Sequence, residues 1–363
     1  MASKALAQAY AACARITRRE AKNFYYAFAS LPRGQRLAVY VLYAFCREAD
    51  DVADDAPPMG ASSALENGSA VLPGGDVSKC VPQMGASSAL EKSDEAALLR
   101  DGELSSRAPS AGAPSAPETR EEMALLLDGR QEGAVATARQ GIARLRERLA
   151  AAAEGRALIA RDLALVDVFE RFGISPEDLA DVIAGVEMDL TRTRYRTFDD
   201  LRDYCYHVAS AVGLATLPIL NAGVPPTDAM REHAIDLGLG MQLVNVLRDV
   251  AEDIDRDRVY LPQEDLERFN VDQAAFIRQQ MTEPLRLVLA FESARAVEFL
   301  DRGRQLLPHL PRRGRACPWL LAEIYGRVLQ RIVAADYEVF AGRISLPKRE
   351  KLALLVTARW RAG

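Results

Sequence analysis

Two short stretches, CREADDVADD at 46–55 and RDVAED at 248–253, repeat nearly the same acidic phrase. Each includes an arginine and lies in apolar surroundings. On a helix over 39–55, Tyr43, Arg47, Asp50 and Asp54 fall at i, i+4, i+7 and i+11, a single stripe. On a helix over 238–255, Gln242, Asn245, Asp249 and Asp253 fall at i, i+3, i+7 and i+11. Both stripes end in two carboxylates one turn apart. A lone acidic run is most simply a solvated face with local Arg–Asp pairs. Two features weigh against that here. The stripes carry Tyr, Gln and Asn, which are directional hydrogen-bonding groups. The neighbouring residues, VYVLYAF and LGLGMQLVNVL, are apolar, so these helices read as interior, where unpartnered carboxylates are costly.

Carboxylates facing each other without His or Cys suit a hard, oxygen-seeking cation. Mg²⁺ is the first expectation, with Mn²⁺ as an alternative of the same kind. Mg²⁺ is commonly held by one or two carboxylates, waters and substrate phosphates. Arg47 and Arg248 would pair with phosphate oxygens, and Asn245 and Gln242 would orient waters or phosphate. The pattern therefore reads as a grip on a diphosphate. A metal-neutralised diphosphate is a good leaving group, and the carbocation left behind needs a dry cavity with aromatic faces. KNFYYAF at 22–28 supplies Phe24, Tyr25, Tyr26 and Phe28, and YCYHVASAVG at 204–213 supplies Tyr204 and Tyr206. Ordinary core packing is the competing reading for these rings.

The elements that must position these groups are helices. Apolar residues recur at spacings of three and four through 5–55, with a break at LPRG (31–34). From Ala56 to Pro117 the chain turns to Gly, Ser, Ala and Pro without aromatics, and MGASSALE occurs at both 59–66 and 84–91. This predicts a disordered, low-complexity insertion rather than a second domain. Helical periodicity resumes near Arg120 and runs to the end, through SPEDLADVIAGVEMDL, FDDLRDYCYHVASAVGLATLPIL and DAMREHAIDLGLGMQLVNVLRDVAEDIDRDR. No alternating strands appear. The expectation is one all-α domain over 1–363, interrupted at 56–117, around a central apolar cavity.

Composition narrows the function. The chain has 363 residues, is 49% hydrophobic and carries a formal charge of −5 with scattered basic residues, so no nucleic-acid partner is expected. Five cysteines without a CxxC pair and three histidines argue against a zinc site or a disulfide framework. The setting expected is cytoplasmic and reducing. The first twenty residues show no signal peptide, and no apolar run of 18 residues occurs. Peripheral contact with the inner membrane is compatible, because a hydrophobic substrate has to come from a membrane.

Several separated motifs together resemble the squalene/phytoene synthase family: NFYYAFASLP, VYVLYAFCREADDVADD, GVEMDLTRTRYRTFDDLRDYCY, VASAVG and LVNVLRDVAEDIDRDRVYLP. They occur in the family's order and cover nearly the whole chain outside 56–117. The resemblance implies the isoprenoid synthase fold and head-to-head joining of two prenyl diphosphates. It places metal binding on Asp50, Asp54, Asp249 and Asp253, with Asp51 and Asp55 as neighbours. Diphosphate contacts fall on Tyr43, Arg47, Gln242, Asn245 and Arg248, and the substrate site also takes in Phe24. It further implies roles for Asp189 and for Tyr204, beside the developing cation. One departure stands out: Glu20 and Ala21 occupy the places of a His-Ser pair found in some relatives, followed by Lys22 and Asn23.

The tail AADYEVFAGRISLPKREKLALL and EMDLTRTRYRTFDDL most resemble bacterial presqualene diphosphate synthases of hopanoid pathways. The expectation is therefore two farnesyl diphosphates joined to presqualene diphosphate or squalene. Dehydrosqualene is a further C30 product. The alternative is a phytoene synthase joining two geranylgeranyl diphosphates on the carotenoid side. No GxGxxG fingerprint is present, which leaves NADPH undecided because the family can bind it without one. A reaction stopping at the cyclopropyl diphosphate would hand its product to a separate downstream oxidoreductase. Rival readings are an α-helical scaffold with two acidic patches, a head-to-tail elongating synthase and a terpene cyclase.

Overall fold

The computed structural model describes the backbone of residues 2–54 and 120–362, and side chains within 4–21, 24–52 and 133–358. The expected insertion at 56–117 and Asp55 lie outside these residues, as does the side chain of Asp54. The chain divides into two units, Met1–Ala61 with Gly129–Gly363, and Ser62–Asp128. Of the second, only the start of one helix is described.

The elements are α1 (Ala2–Glu20), α2 (Lys22–Ala29), α3 (Arg33–Asp54), α4 (Arg120–Ala153), α5 (Asp162–Phe172), α6 (Pro176–Asp189) and α7 (Phe198–Cys205). A π-helical turn (Tyr206–Ser210) joins α7 to α8 (Ala211–Leu220). Then follow α9 (Asp228–Arg248), α10 (Val250–Asp255), α11 (Gln263–Arg268), α12 (Gln273–Ile277), α13 (Glu283–Arg304), α14 (Leu306–His309), α15 (Arg312–Ala334) and α16 (Lys348–Ala362). No strand occurs among the described residues; one isolated parallel bridge joins Arg194 to Val259.

Local chemistry sets many of the ends. Thr197 opens α7 with a capping box, accepting from the Asp200 amide while the Asp200 carboxylate accepts from the Thr197 amide. Thr227 and Thr282 cap the two long helices α9 and α13 through Met230 N and Leu285 N. These two helices pack closely because glycines remove side chains where the backbones meet. A Cβ on Gly303 would sit 2.5 Å from Leu237 Cα, and one on Gly240 would sit 2.7 Å from Leu300 N. The pairing of 237 with 303 and 240 with 300 makes the packing antiparallel.

Inward-facing residues of α3, among them Ala38, Leu42, Phe45 and Ala49, are fully buried, as the periodicity predicts. Arg148 of α4 ties three helices together, donating to Glu48 of α3 at 2.7 Å and to Asp162 of α5 at 2.7 Å.

Two expected helices are interrupted. The helix over 238–255 breaks at Asp249 (φ −102°, ψ 13°), which ends α9 and opens α10. The Asp249 amide donates to the Asn245 carbonyl and its own carbonyl accepts from the Asp253 amide, both at 2.9 Å, so Asp249 closes one helix and opens the next. The stretch 198–220 widens into the π turn one residue after Cys205. Such turns often mark functional positions in helices.

Candidate active site

Two groups of side chains gather the predicted residues. The first spans α2, α3, α9 and α15. Phe24 of α2 packs on Tyr43 of α3 with ring centroids 6.2 Å apart and on Tyr325 of α15 at 6.4 Å. Phe28 completes the cluster, 5.9 Å from both Phe24 and Tyr43. The side chain of Asn245 of α9 lies close enough to the Tyr325 hydroxyl to favour its ionised form. Asn245 Nδ2 donates to Gln242 Oε1 at 3.0 Å. The aromatic residues thus connect the face carrying the first acidic motif to the face carrying the second. Burial pushes the Tyr43 and Tyr325 hydroxyls above their ordinary range, so both remain protonated donors at neutral pH.

The two acidic motifs differ in exposure. Arg47 pairs with Asp51 one turn on, but the Asp51 side chain is 56% exposed, so this pair is the solvated kind. Asp50 is also exposed, and its charge raises the Tyr43 hydroxyl further. The second motif is largely withdrawn from water. Asp249 is 16% exposed and is held by Arg248 of α9 and by Arg343 from the segment before α16, the latter at 3.1 Å. Arg343 also reaches Glu252 at 3.5 Å. Burial, then the charge of Asp249, push the Asp253 carboxyl up to about 7. A cation arriving beside Asp253 would favour its ionised form.

The second group lies around Asp189 at the end of α6. Tyr204 donates to the Tyr260 hydroxyl at 3.4 Å, and Tyr260 donates to Asp189 Oδ1 at 3.4 Å. Both bonds are long. The rings of Tyr195, Tyr204 and Tyr260 pack together with centroids 5.2–5.6 Å apart. Burial, then the charge of Asp189, hold the Tyr204 hydroxyl well above its ordinary range. The two loops supplying Tyr195 and Tyr260 are sewn together. Val259 N donates to Thr193 O at 2.8 Å, Gln263 N donates to Tyr195 O at 2.9 Å, and Arg194 pairs with Asp257 at 2.6 Å.

Fit to a hard cation rests on the donor set. The site offers carboxylates and amide oxygens without sulfur or imidazole, and Asn245 Oδ1 is buried without a hydrogen-bond donor. Among the described residues no three His, Cys, Asp or Glu side chains converge on one point.

Sequence reasoning did not single out Tyr195, Tyr260, Tyr325, Arg343 or Lys351. Tyr195 and Tyr260 lie inside recognised motifs, TRTRY and DRVYLP, and could have been found there. Tyr325 and Arg343 stand in unremarkable surroundings, and only folding brings them to the site. Lys351 of α16 lies over the Tyr26 ring at 6.0 Å. Burial, then the neighbouring charge of Arg248, lower its ammonium pKa.

Comparison with known proteins defines the class first. A dehydrosqualene synthase structure in complex with ligand superposes with a TM-score of 0.70 at 24% identity, over 99% of this chain and 98% of that one. Squalene synthase HpnC from Alicyclobacillus acidocaldarius superposes with a TM-score of 0.65 at 22% identity, over 93% and 99%. The fold is therefore the all-α isoprenoid synthase fold. In sequence, the family model for squalene/phytoene synthases matches residues 17–72 and 121–350. The chain belongs to the squalene/phytoene synthase family, prenyltransferases that join two prenyl diphosphates head to head.

Among its relatives, a phytoene synthase of Arthrospira platensis is 28% identical across 97% of this chain and 93% of its own length. A 15-cis-phytoene synthase of Synechocystis is 40% identical across 55% of this chain and 62% of its own. The chain spans about half the length of the plant relatives it matches, such as phytoene synthase 3 of Zea mays, at 50%. These names favour the C20 alternative over the presqualene reading drawn from the tail and the EMDL motif.

Proposed function

We propose that the chain joins two molecules of geranylgeranyl diphosphate head to head to form phytoene. The observation that carries this is the match to a phytoene synthase along nearly the full length of both chains. The reaction proceeds by loss of diphosphate from one substrate and attack on the allylic cation by the alkene of the other. Proton loss then gives a cyclopropylcarbinyl diphosphate. Departure of the second diphosphate, rearrangement and a second proton loss yield the hydrocarbon, with no reductant consumed. NADPH is therefore not required on this reading.

Asp50, Asp54, Asp249 and Asp253 are the residues that would hold Mg²⁺, which supplies charge neutralisation to the leaving diphosphate. Arg47, Arg248 and Arg343 offer fork-shaped donors to diphosphate oxygens, and Tyr43, Gln242 and Asn245 add directional contacts. Phe24 and the stack of Tyr195, Tyr204 and Tyr260 present ring faces to an isoprenoid cation. Tyr204 stays a neutral phenol, so it acts through its ring and hydroxyl and not as a phenolate base. The series Tyr204, Tyr260, Asp189 offers a path along which a proton released beside Tyr204 passes to a carboxylate.

The test is incubation of purified protein with farnesyl or geranylgeranyl diphosphate and Mg²⁺, with products identified by mass spectrometry. Phytoene from the C20 substrate is expected. Conversion of the C15 substrate alone, to presqualene diphosphate or squalene, would restore the C30 reading.

A further inference from the structure

Helix α16 is apolar on two opposite sides. Leu354 and Ala358 are buried, on the side that meets α15. Leu352 and Val356, one turn apart on the other side, are 52% and 69% exposed, the latter the most exposed large apolar residue among those described. Helix stability does not account for this face, because the inward residues already secure the packing. Charge is equally one-sided. Residues 348–362 carry five cations against the single acid Glu350, in a chain whose formal charge is −5. Glu350 is itself engaged by Arg331 at 2.5 Å. Lys348, Arg349 and Lys351 stand in the first turn, where the helix dipole disfavours positive charge. Lys348 and Arg349 point into solvent, whereas Lys351 is partly buried and lies over Tyr26.

We propose that the outer face of α16, Leu352 and Val356 flanked by Lys348 and Arg349, docks the protein onto an anionic lipid surface. Exposed apolar side chains beside basic ones are the pattern of a helix that lies in the headgroup region. Lys351, on the inner side of α16, is close enough to Arg248 for their charges to interact, so the helix adjoins the second acidic motif on the side opposite the docked face. Substrates and products of the proposed reaction are lipids. The inference rests on that reading for its purpose, but its evidence is the surface alone. No helix among the described residues is long and apolar enough to cross a membrane; the attachment proposed is that of a helix face lying on the surface.

The experiment is flotation of the full chain with vesicles of phosphatidylcholine alone or of an equimolar phosphatidylcholine–phosphatidylglycerol mixture. Binding is expected to the anionic vesicles only, and to fall as salt rises. The variant K348Q/R349Q should bind more weakly, about fivefold for each charge removed. The variant L352E/V356E should lose flotation while keeping wild-type circular dichroism, melting temperature and turnover of detergent-dispersed substrate. Equal flotation of wild type and both variants, or none by wild type, overturns the proposal. So does light scattering that shows a dimer which L352E/V356E dissociates while vesicle binding persists, since the face would then be a contact between two copies. Flotation needs no turnover, so a protein that floats but makes no head-to-head product refutes the function and spares the surface.

Discussion

Arg343 Nε lies 3.1 Å from Asp249 Oδ1, although the two residues are 94 positions apart in the chain. Together with Arg248 it pairs with the first carboxylate of the second acidic motif, and on the proposed reading both guanidiniums turn to the diphosphate. Replacing Arg343 by Met is expected to raise KM for prenyl diphosphate and lower kcat/KM by about ten- to a hundredfold. Arg343→Lys should recover only part of this, since an ammonium cannot make the forked contact. Steady-state kinetics on the two variants checks it, and an unchanged KM in Arg343→Met would remove Arg343 from the substrate site.

Asp50→Ala and Asp249→Ala are each expected to abolish turnover in Mg²⁺ while leaving the helical circular dichroism intact. Retained activity in either would refute the metal-grip roles given to these carboxylates. The second motif should also show competition between protons and metal. With Asp253 pushed up to about 7, lowering the pH through that value protonates a carboxylate proposed to hold the metal. The Mg²⁺ concentration for half-maximal activity should therefore rise as pH falls from ~8 to ~6.

Tyr260→Phe removes the middle of the Tyr204–Tyr260–Asp189 series without removing its ring. The expected result is a fall in kcat on the order of tenfold to a hundredfold with KM little changed. Tyr260→Leu also removes the aromatic face and should cost more. If Tyr260→Phe is as active as wild type, the series carries no proton.

A buried charge cluster away from the site sets a pH dependence of stability. Glu292 is buried; Arg295 reaches its Oε1 at 2.6 Å and Asp265 at 2.5 Å. Burial pushes Glu292 up to about 8. Its folded pKa lies above the unfolded one, so the native state binds more protons between them. The stability it contributes is complete below the unfolded carboxylate range and is lost as pH rises through about 8. Melting temperatures between pH ~5 and ~9 should fall on the alkaline side, and Glu292→Gln should flatten that slope.

Gly303 predicts a packing cost. A methyl group there meets Leu237 Cα at 2.5 Å, so Gly303→Ala must push α9 and α13 apart. A loss of about 1–3 kcal/mol is expected, read as a lower denaturation midpoint.

Much of this architecture was legible in the residues alone. The 3.6-residue spacing along α3 foretold its buried face, and both acidic stripes were visible as patterns on single helices. Tyr204 and Asp189 came from the family resemblance, and the structure joins them through Tyr260. The break at Asp249 was not foreseen, because LVNVLRDVAEDI has unbroken helical periodicity. The π turn after Cys205 was equally hidden, since no Gly or Pro marks it.

What the sequence determined by itself is whatever depends on neighbours within a few turns: helix identity, buried faces and the polar stripes. Those follow from backbone hydrogen bonding and side-chain spacing within one segment. Only tertiary structure decided that Phe24 connects Tyr43 to Tyr325, that Arg343 reaches Asp249, and that α16 leaves Leu352 and Val356 facing water. Each depends on how helices far apart in sequence pack, and packing is set by the fit of whole surfaces, which no local pattern of residues encodes.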